Sequence, residues 1–208
     1  MAIVSLKTFL KRGFLEKIVR NSPQVATAVD RIFRRRIIGL KGAALAEFDR
    51  HLVTKELKQG PTGTNVSQTL GGVGNLFSFI GFESTANPVA LVREVLKSHF
   101  NIHGIQRKVR GNKGVTAFRY SLSFPTISSF DSVSRMPWEI GNSWIKGIEN
   151  GISGFSNYMY FTYGEGGNIR DRSRSGTAVQ SKREMNVGYF KPTKYISEIL
   201  DNYRKRLS

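Results

Sequence analysis

The chain contains no cysteine. That excludes disulfides and thiolate metal sites, and it suits a reducing compartment. Histidine is nearly as scarce, with three in 208 residues, so a nucleophile–base pair has few possible bases. Acidic residues are few as well: 15 Asp and Glu against 32 Lys and Arg, a net charge of +17. No window approaches 18 consecutive apolar residues, so no transmembrane helix is expected. The first residues, Met1 to Leu6, are soon interrupted by Lys7, Lys11 and Arg12 and lack the long apolar stretch of a signal peptide. No Gly-x-Ser-x-Gly elbow occurs, and Gly71, Gly72 and Gly74 are not followed by the Lys-Ser/Thr of a phosphate-binding loop.

What is present is positive charge spread over the whole length. Residues 1–60 carry a net +8 (13 basic, 5 acidic), residues 61–130 +5 (7 and 2) and residues 131–208 +4 (12 and 8). A folded chain charged in this way repels itself and calls for acidic partners. Its 39% apolar and 11% aromatic residues suffice for a core, so it is not a disordered basic tail.

Apolar spacing predicts a first helix over residues 4–20, with Leu6, Phe9, Leu10, Phe14, Ile18 and Val19 on one side. Ser22-Pro23 signals a stop and restart. A long second helix then runs to about residue 55, striped by Val29, Phe33, Ile37, Leu40, Ala44, Phe48 and Leu52. Gly39 and Gly42 inside it allow a kink or close packing. Residues 61–75 read as an extended loop and residues 76–82 as a strand. Asn87-Pro88 opens a helix to about Phe100. Residues 102–110 and 115–124 form a hairpin around Gly111-Asn112-Lys113-Gly114. A short helix from Pro137-Trp138 ends at Asn150-Gly151, residues 158–163 form a strand, and Pro192 opens the last helix. The expected fold is α+β, one domain with long N-terminal helices, a small mostly antiparallel sheet and a C-terminal helix. Its parts are a basic helical arm (1–58) and an α+β body (59–208) with a mobile basic loop at 164–187.

The densest basic cluster, residues 31–36, places Arg31, Arg34 and Arg35 on a helix face away from the apolar stripe. Arginine forks suit phosphates and carboxylates, so these three are candidate contacts to DNA or a protein partner, or an ordinary solvated face. Arg170, Arg172 and Arg174, alternating with small polar residues, are candidates of the same kind, or part of a disordered surface loop. Trp138 and Trp144 are candidate subunit contacts, with core packing the alternative for at least one. His99 and His103 have the spacing of a helical metal pair but no third ligand. Asp131, Glu139, Glu149 and Glu165 have no spacing that selects a metal-dependent nuclease site over surface placement. No catalytic residue, metal site or cofactor is expected.

The wording of residues 60–65 (Gly-Pro-Thr-Gly-Thr-Asn), of residues 71–82 (Gly-Gly-Val-Gly-Asn-Leu-Phe-Ser-Phe-Ile-Gly-Phe) and of residues 136–144 around the two tryptophans resembles small head–tail junction proteins of tailed bacteriophages: neck, tail-completion and minor tail proteins. The resemblance covers the chain in layout and about residues 54–82 and 136–154 in wording. It implies a structural virion subunit without enzymatic activity, found in the host cytoplasm during assembly. Such a subunit forms a ring with copies of itself around the DNA channel. Its neighbours would be portal, adaptor, tail-tube or terminator proteins, with non-specific DNA contact and no membrane. The alternative is a basic nucleic-acid-binding protein working outside any particle. No helix-turn-helix or RNA-recognition signature supports that alternative.

Overall fold

The computed structural model describes residues 2–7, 23–72, 74–110, 116–137, 141–151, 158–161, 178–180 and 190–207. The chain is α+β. Strand β1 (Ala2–Lys7) is followed by helices α1 (Pro23–Arg50), α2 (Leu52–Gln59), α3 (Leu76–Ile80) and α4 (Pro88–Ser98). Strands β2 (Asn101–Arg110) and β3 (Thr116–Ser123), helix α5 (Trp144–Asn150), strands β4 (Tyr158–Phe161) and β5 (Ala178–Gln180) and helix α6 (Ile196–Leu207) complete it. Short 3-10 turns lie at Gly60–Thr62 and Ile127–Phe130. One sheet has the order β1-β3-β2, antiparallel throughout, and β4 pairs antiparallel with β5.

Helix α1 buries Phe33, Ile37, Ala44 and Phe48 of the predicted stripe; Val29 and Leu40 are half-buried, and Leu52, which lies past the end of this helix, is exposed. Phe33 stacks on Tyr120 of β3 with ring centroids 3.7 Å apart. These side chains share one buried cluster with Leu76, Phe77 and Ile80 of α3, Val89, Val92 and Leu96 of α4, and Ile196, Ile199, Leu200 and Tyr203 of α6. Asp49 ties the end of α1 to its surroundings, holding Arg93 of α4 (3.1 Å) and Lys58 of α2 (2.8 Å). Burial pushes the Asp49 carboxyl up, but these two cations outweigh it and hold its pKa below the ordinary value.

Five expectations are corrected. Residues 2–7, whose last four fall in the expected first helix, form β1, paired with β3 from Ala2↔Leu122 to Lys7↔Ala117. Backbone pairing across more than 100 positions outweighs a local helical spacing there; residues 8–22 lie outside the described residues. The predicted strand at 76–82 is helix α3. Asn75 caps it by accepting from the Ser78 N–H (2.7 Å), and Gly81, at φ 82°, closes it in the left-handed conformation. The predicted single helix to residue 55 breaks at His51, which has an extended ψ of 138° and whose Nδ1 accepts from the Val53 N–H, restarting the chain as α2.

The last two helices start later than predicted. Residues 141–143 precede α5, and Ser143, not Pro137-Trp138, provides its N-cap. Residues 191–195 are not helical: Lys191 N–H donates to Thr69 and Thr193 N–H to Ile148, which carries the backbone across the body before α6 begins. Glu149 then serves as the cap of α6, accepting from the Tyr195 N–H (3.1 Å) and the Ser197 N–H (2.8 Å). The delay lets Tyr195 enter the core, where its hydroxyl meets Thr54 Oγ1 at 2.7 Å. Burial pushes its pKa up. The helix from Pro88, the hairpin strands β2 and β3, the strand at 158–161 and the end of α5 at Asn150 fall within a residue or two of their predicted positions.

His51 gives the fold a pH dependence. Burial lowers its pKa from 6.5, against the opposing pull of Glu198, the Lys194 carbonyl, Glu47 and Glu149. The unfolded chain therefore binds this proton more readily than the folded one. The stability contribution is complete above the unfolded pKa and is lost as pH falls through the lower folded value. Urea midpoints should fall between pH 7.5 and 5.5 for the native chain. The fall should flatten in His51→Asn, which retains a capping acceptor but does not titrate in that range.

Candidate interaction surface

The side of α1 that faces away from the core has an unusual composition. Phe33 and Ile37 point inward, while Ile32 and Ile38 are 65% and 67% exposed. At 3.6 residues per turn, Ile32 and Ile38 lie about 120° apart around the axis. Between them run Ala28, Arg35, Gly39 and Gly42, all exposed, with Arg31 beside Ile38. The result is a strip with a floor of small residues, an isoleucine on each side and two arginines. A shallow depression of about 350 Å³ continues it toward the helix start, lined among the described residues by Pro23, Gln24, Thr27, Ala28 and Arg31.

Among the described residues, a Cβ built on Gly39 or on Gly42 would meet nothing within 4 Å, so neither glycine serves a close contact with them. Both sit mid-helix, where glycine costs about 0.5–1 kcal/mol relative to alanine. Gly39→Ala and Gly42→Ala together should therefore stabilise the isolated chain by roughly 1–2 kcal/mol. A higher urea midpoint at unchanged slope would check this; a lower midpoint would mean that the glycines relieve strain in the helix itself.

The predicted arginines divide into two kinds. Arg34 pairs with Asp30 one turn back at 2.8 Å. Its neighbour Arg36, also exposed, donates to the Arg206 carbonyl of α6 at 3.1 Å. Arg31 and Arg35 make no ion pair or hydrogen bond with a described residue and project from the strip. Arg170, Arg172 and Arg174 lie outside the described residues, as does Trp138; within the predicted loop at 164–187 only β5 is described. Trp144, read as a candidate subunit contact, is a core residue: it is 1% exposed and meets Phe82 edge to face at 5.9 Å. His99 caps the end of α4, with Nδ1 3.0 Å from the Val95 carbonyl.

The carboxylates are mostly engaged inside the fold. Glu47 meets Arg206 (3.0 Å) and Asn202, and Asp131 meets Lys146 (2.6 Å). Glu94 and Asp201 pair with Lys97 and Arg204 on their own helices. Of the ten described carboxylates, only Glu83 and Glu198 have no hydrogen-bond or ion-pair partner among the described residues. Glu139 and Glu165 lie outside the described residues. Among the described residues no group of three His, Asp or Glu side chains is placed to hold a metal ion. Among them, too, no helix is long and apolar enough to cross a membrane.

Glu56 is the fully buried carboxylate, at 0% exposure on α2. Oε1 accepts from the Leu76 N–H (2.6 Å) and Asn65 Nδ2 (2.8 Å), and Oε2 accepts from the Ser67 N–H (2.9 Å). Asn65 Oδ1 in turn accepts from the Leu70 and Gly72 N–H groups. The Gly- and Asn-rich stretch that carries the resemblance is thus folded around one carboxylate. Its role is architectural: every oxygen is taken by the protein's own donors.

No family model, curated protein or solved structure matches the chain.

Proposed function

We propose that this chain is a structural subunit of a tailed-phage particle, a ring-forming neck or tail-completion protein that joins head to tail around the DNA channel. The observation that supports the reading best is the outward strip of α1. Two exposed isoleucines beside arginines without a described partner, over glycines with open space among the described residues, suit a surface that another subunit covers. The wording of residues 60–82 and 136–144 supplies the setting, through its resemblance to head–tail junction proteins. The net charge of +17 suits a place among acidic subunits and packaged DNA.

A basic nucleic-acid-binding protein outside any particle would use the same arginines, and Arg31 and Arg35 are free to meet phosphates. The isoleucines among them weigh against that use, because a phosphate-facing surface gains nothing from exposed apolar side chains. Quantitative peptide mass spectrometry on purified particles from the source of this chain tests the proposal. A few to about a dozen copies per particle are expected, as a closed ring requires. Absence from particles, with the chain abundant in the cell, would overturn it.

A further inference from the structure

We infer that the outward strip of α1 is the seat for a helix of an acidic protein, packed between Ile32 and Ile38 against Gly39 and Gly42, with its carboxylates on Arg31 and Arg35. The inference rests on the reading of the chain as an assembly subunit and names the chemistry of its neighbour.

Three observations select this occupant. The glycines leave open space above the helix axis, and small residues at a contact let two helix backbones approach closely. The apolar part is two isoleucine side chains separated by the width of the strip, which fits the apolar edge of an amphipathic helix. The charged part is Arg31 and Arg35, whose planar forks take carboxylates two bonds at a time. Among the described residues a second copy offers few carboxylates, since only Glu83 and Glu198 have no partner there. Two identical strips facing each other would oppose arginine to arginine. An acidic helix supplies what both halves of the strip lack.

The test uses the full chain and two probes: a synthetic amphipathic peptide of Glu, Ala and Leu, and a short duplex DNA of mixed sequence. Binding is followed by calorimetry at physiological salt, with thermal melts to show that each variant is folded. The peptide should bind the native chain. Ile38→Asp, Gly39→Leu and the pair Arg31→Glu with Arg35→Glu should each weaken it at least about tenfold. Ile38→Asp should lower DNA affinity less than it lowers peptide affinity, because it adds one negative charge but removes no cation. Equal peptide affinity for the native chain and Ile38→Asp would overturn the inference. So would an equal loss of DNA affinity in Ile38→Asp, or self-association of the native chain that Ile38→Asp abolishes. Absence of the chain from particles alongside peptide binding at the strip would overturn the virion reading alone. Presence in particles without peptide binding would overturn this inference alone.

Discussion

Glu56→Ala should unfold the chain more readily than any other single change considered for this protein. The substitution removes the acceptor of the buried Leu76 N–H, of the half-buried Ser67 N–H and of the buried Asn65 amide. Each buried donor left without a partner costs about 1–3 kcal/mol. The loss should total roughly 4 kcal/mol, which lowers the melting temperature of a chain of this size by about 8–16 °C. Glu56→Gln keeps one acceptor oxygen for Leu76 and Asn65 but turns an NH2 group toward the Ser67 N–H. It should lie about midway between the native chain and alanine. A loss below about 1 kcal/mol for Glu56→Ala would mean that water reaches these groups and that the 65–76 segment is not organised by the carboxylate.

The second large effect should appear in assembly and leave folding alone. Under the virion role proposed above, infectious titre should fall at least about a hundredfold when the chain carries Ile38→Asp with Arg35→Glu, the loss expected when a central apolar anchor and its charged partner are both reversed. Chain abundance in the cell should be unchanged, because neither side chain contributes to the core or to an ion pair among the described residues. Capsids filled with DNA but lacking tails would be the accompanying product. Full titre with this double variant would remove the outward strip from the account.

The contrast between these two predictions follows the division between what the sequence displays and what only the fold creates. The inward stripe of α1 was legible because Phe33, Ile37, Ala44 and Phe48 recur at helical spacing. Ile32 and Ile38 were missed, although their position off that stripe signals exposure. Helix α4 was marked by Asn87-Pro88, and β2 and β3 by their turn residues. Helix α3 was missed although its Asn75 and Gly81 caps were in plain view: a run of alternating apolar and small residues suggested a strand, and five residues are too few for a period to decide. β1 owes its strand state to partners on β3, more than 100 residues away, which no local pattern records. The break at His51 rests on an imidazole acting as a cap, an uncommon choice.

Among the candidate contacts, Arg31, Arg34 and Arg35 looked alike in sequence, and the structure separates them by one turn-spaced aspartate. Trp144 was ambiguous because tryptophan serves both cores and interfaces; Phe82 and Tyr195 around it decide for the core. The role of Glu56 left one sequence signal, a carboxylate among Val53, Thr54 and Leu57 on the buried side of α2. Its partners, at 65–76, could not be read from periodicity, since loop backbone carries no side-chain pattern.

The most direct measurement places a photoreactive amino acid at position 35 of the chain, in the middle of the strip, and irradiates assembled particles. Mass spectrometry then identifies what the side chain touches. The account predicts one dominant conjugate, to an acidic helical segment of another head or tail protein. Conjugates to DNA alone, or to a second copy of this chain through the same strip, would contradict it.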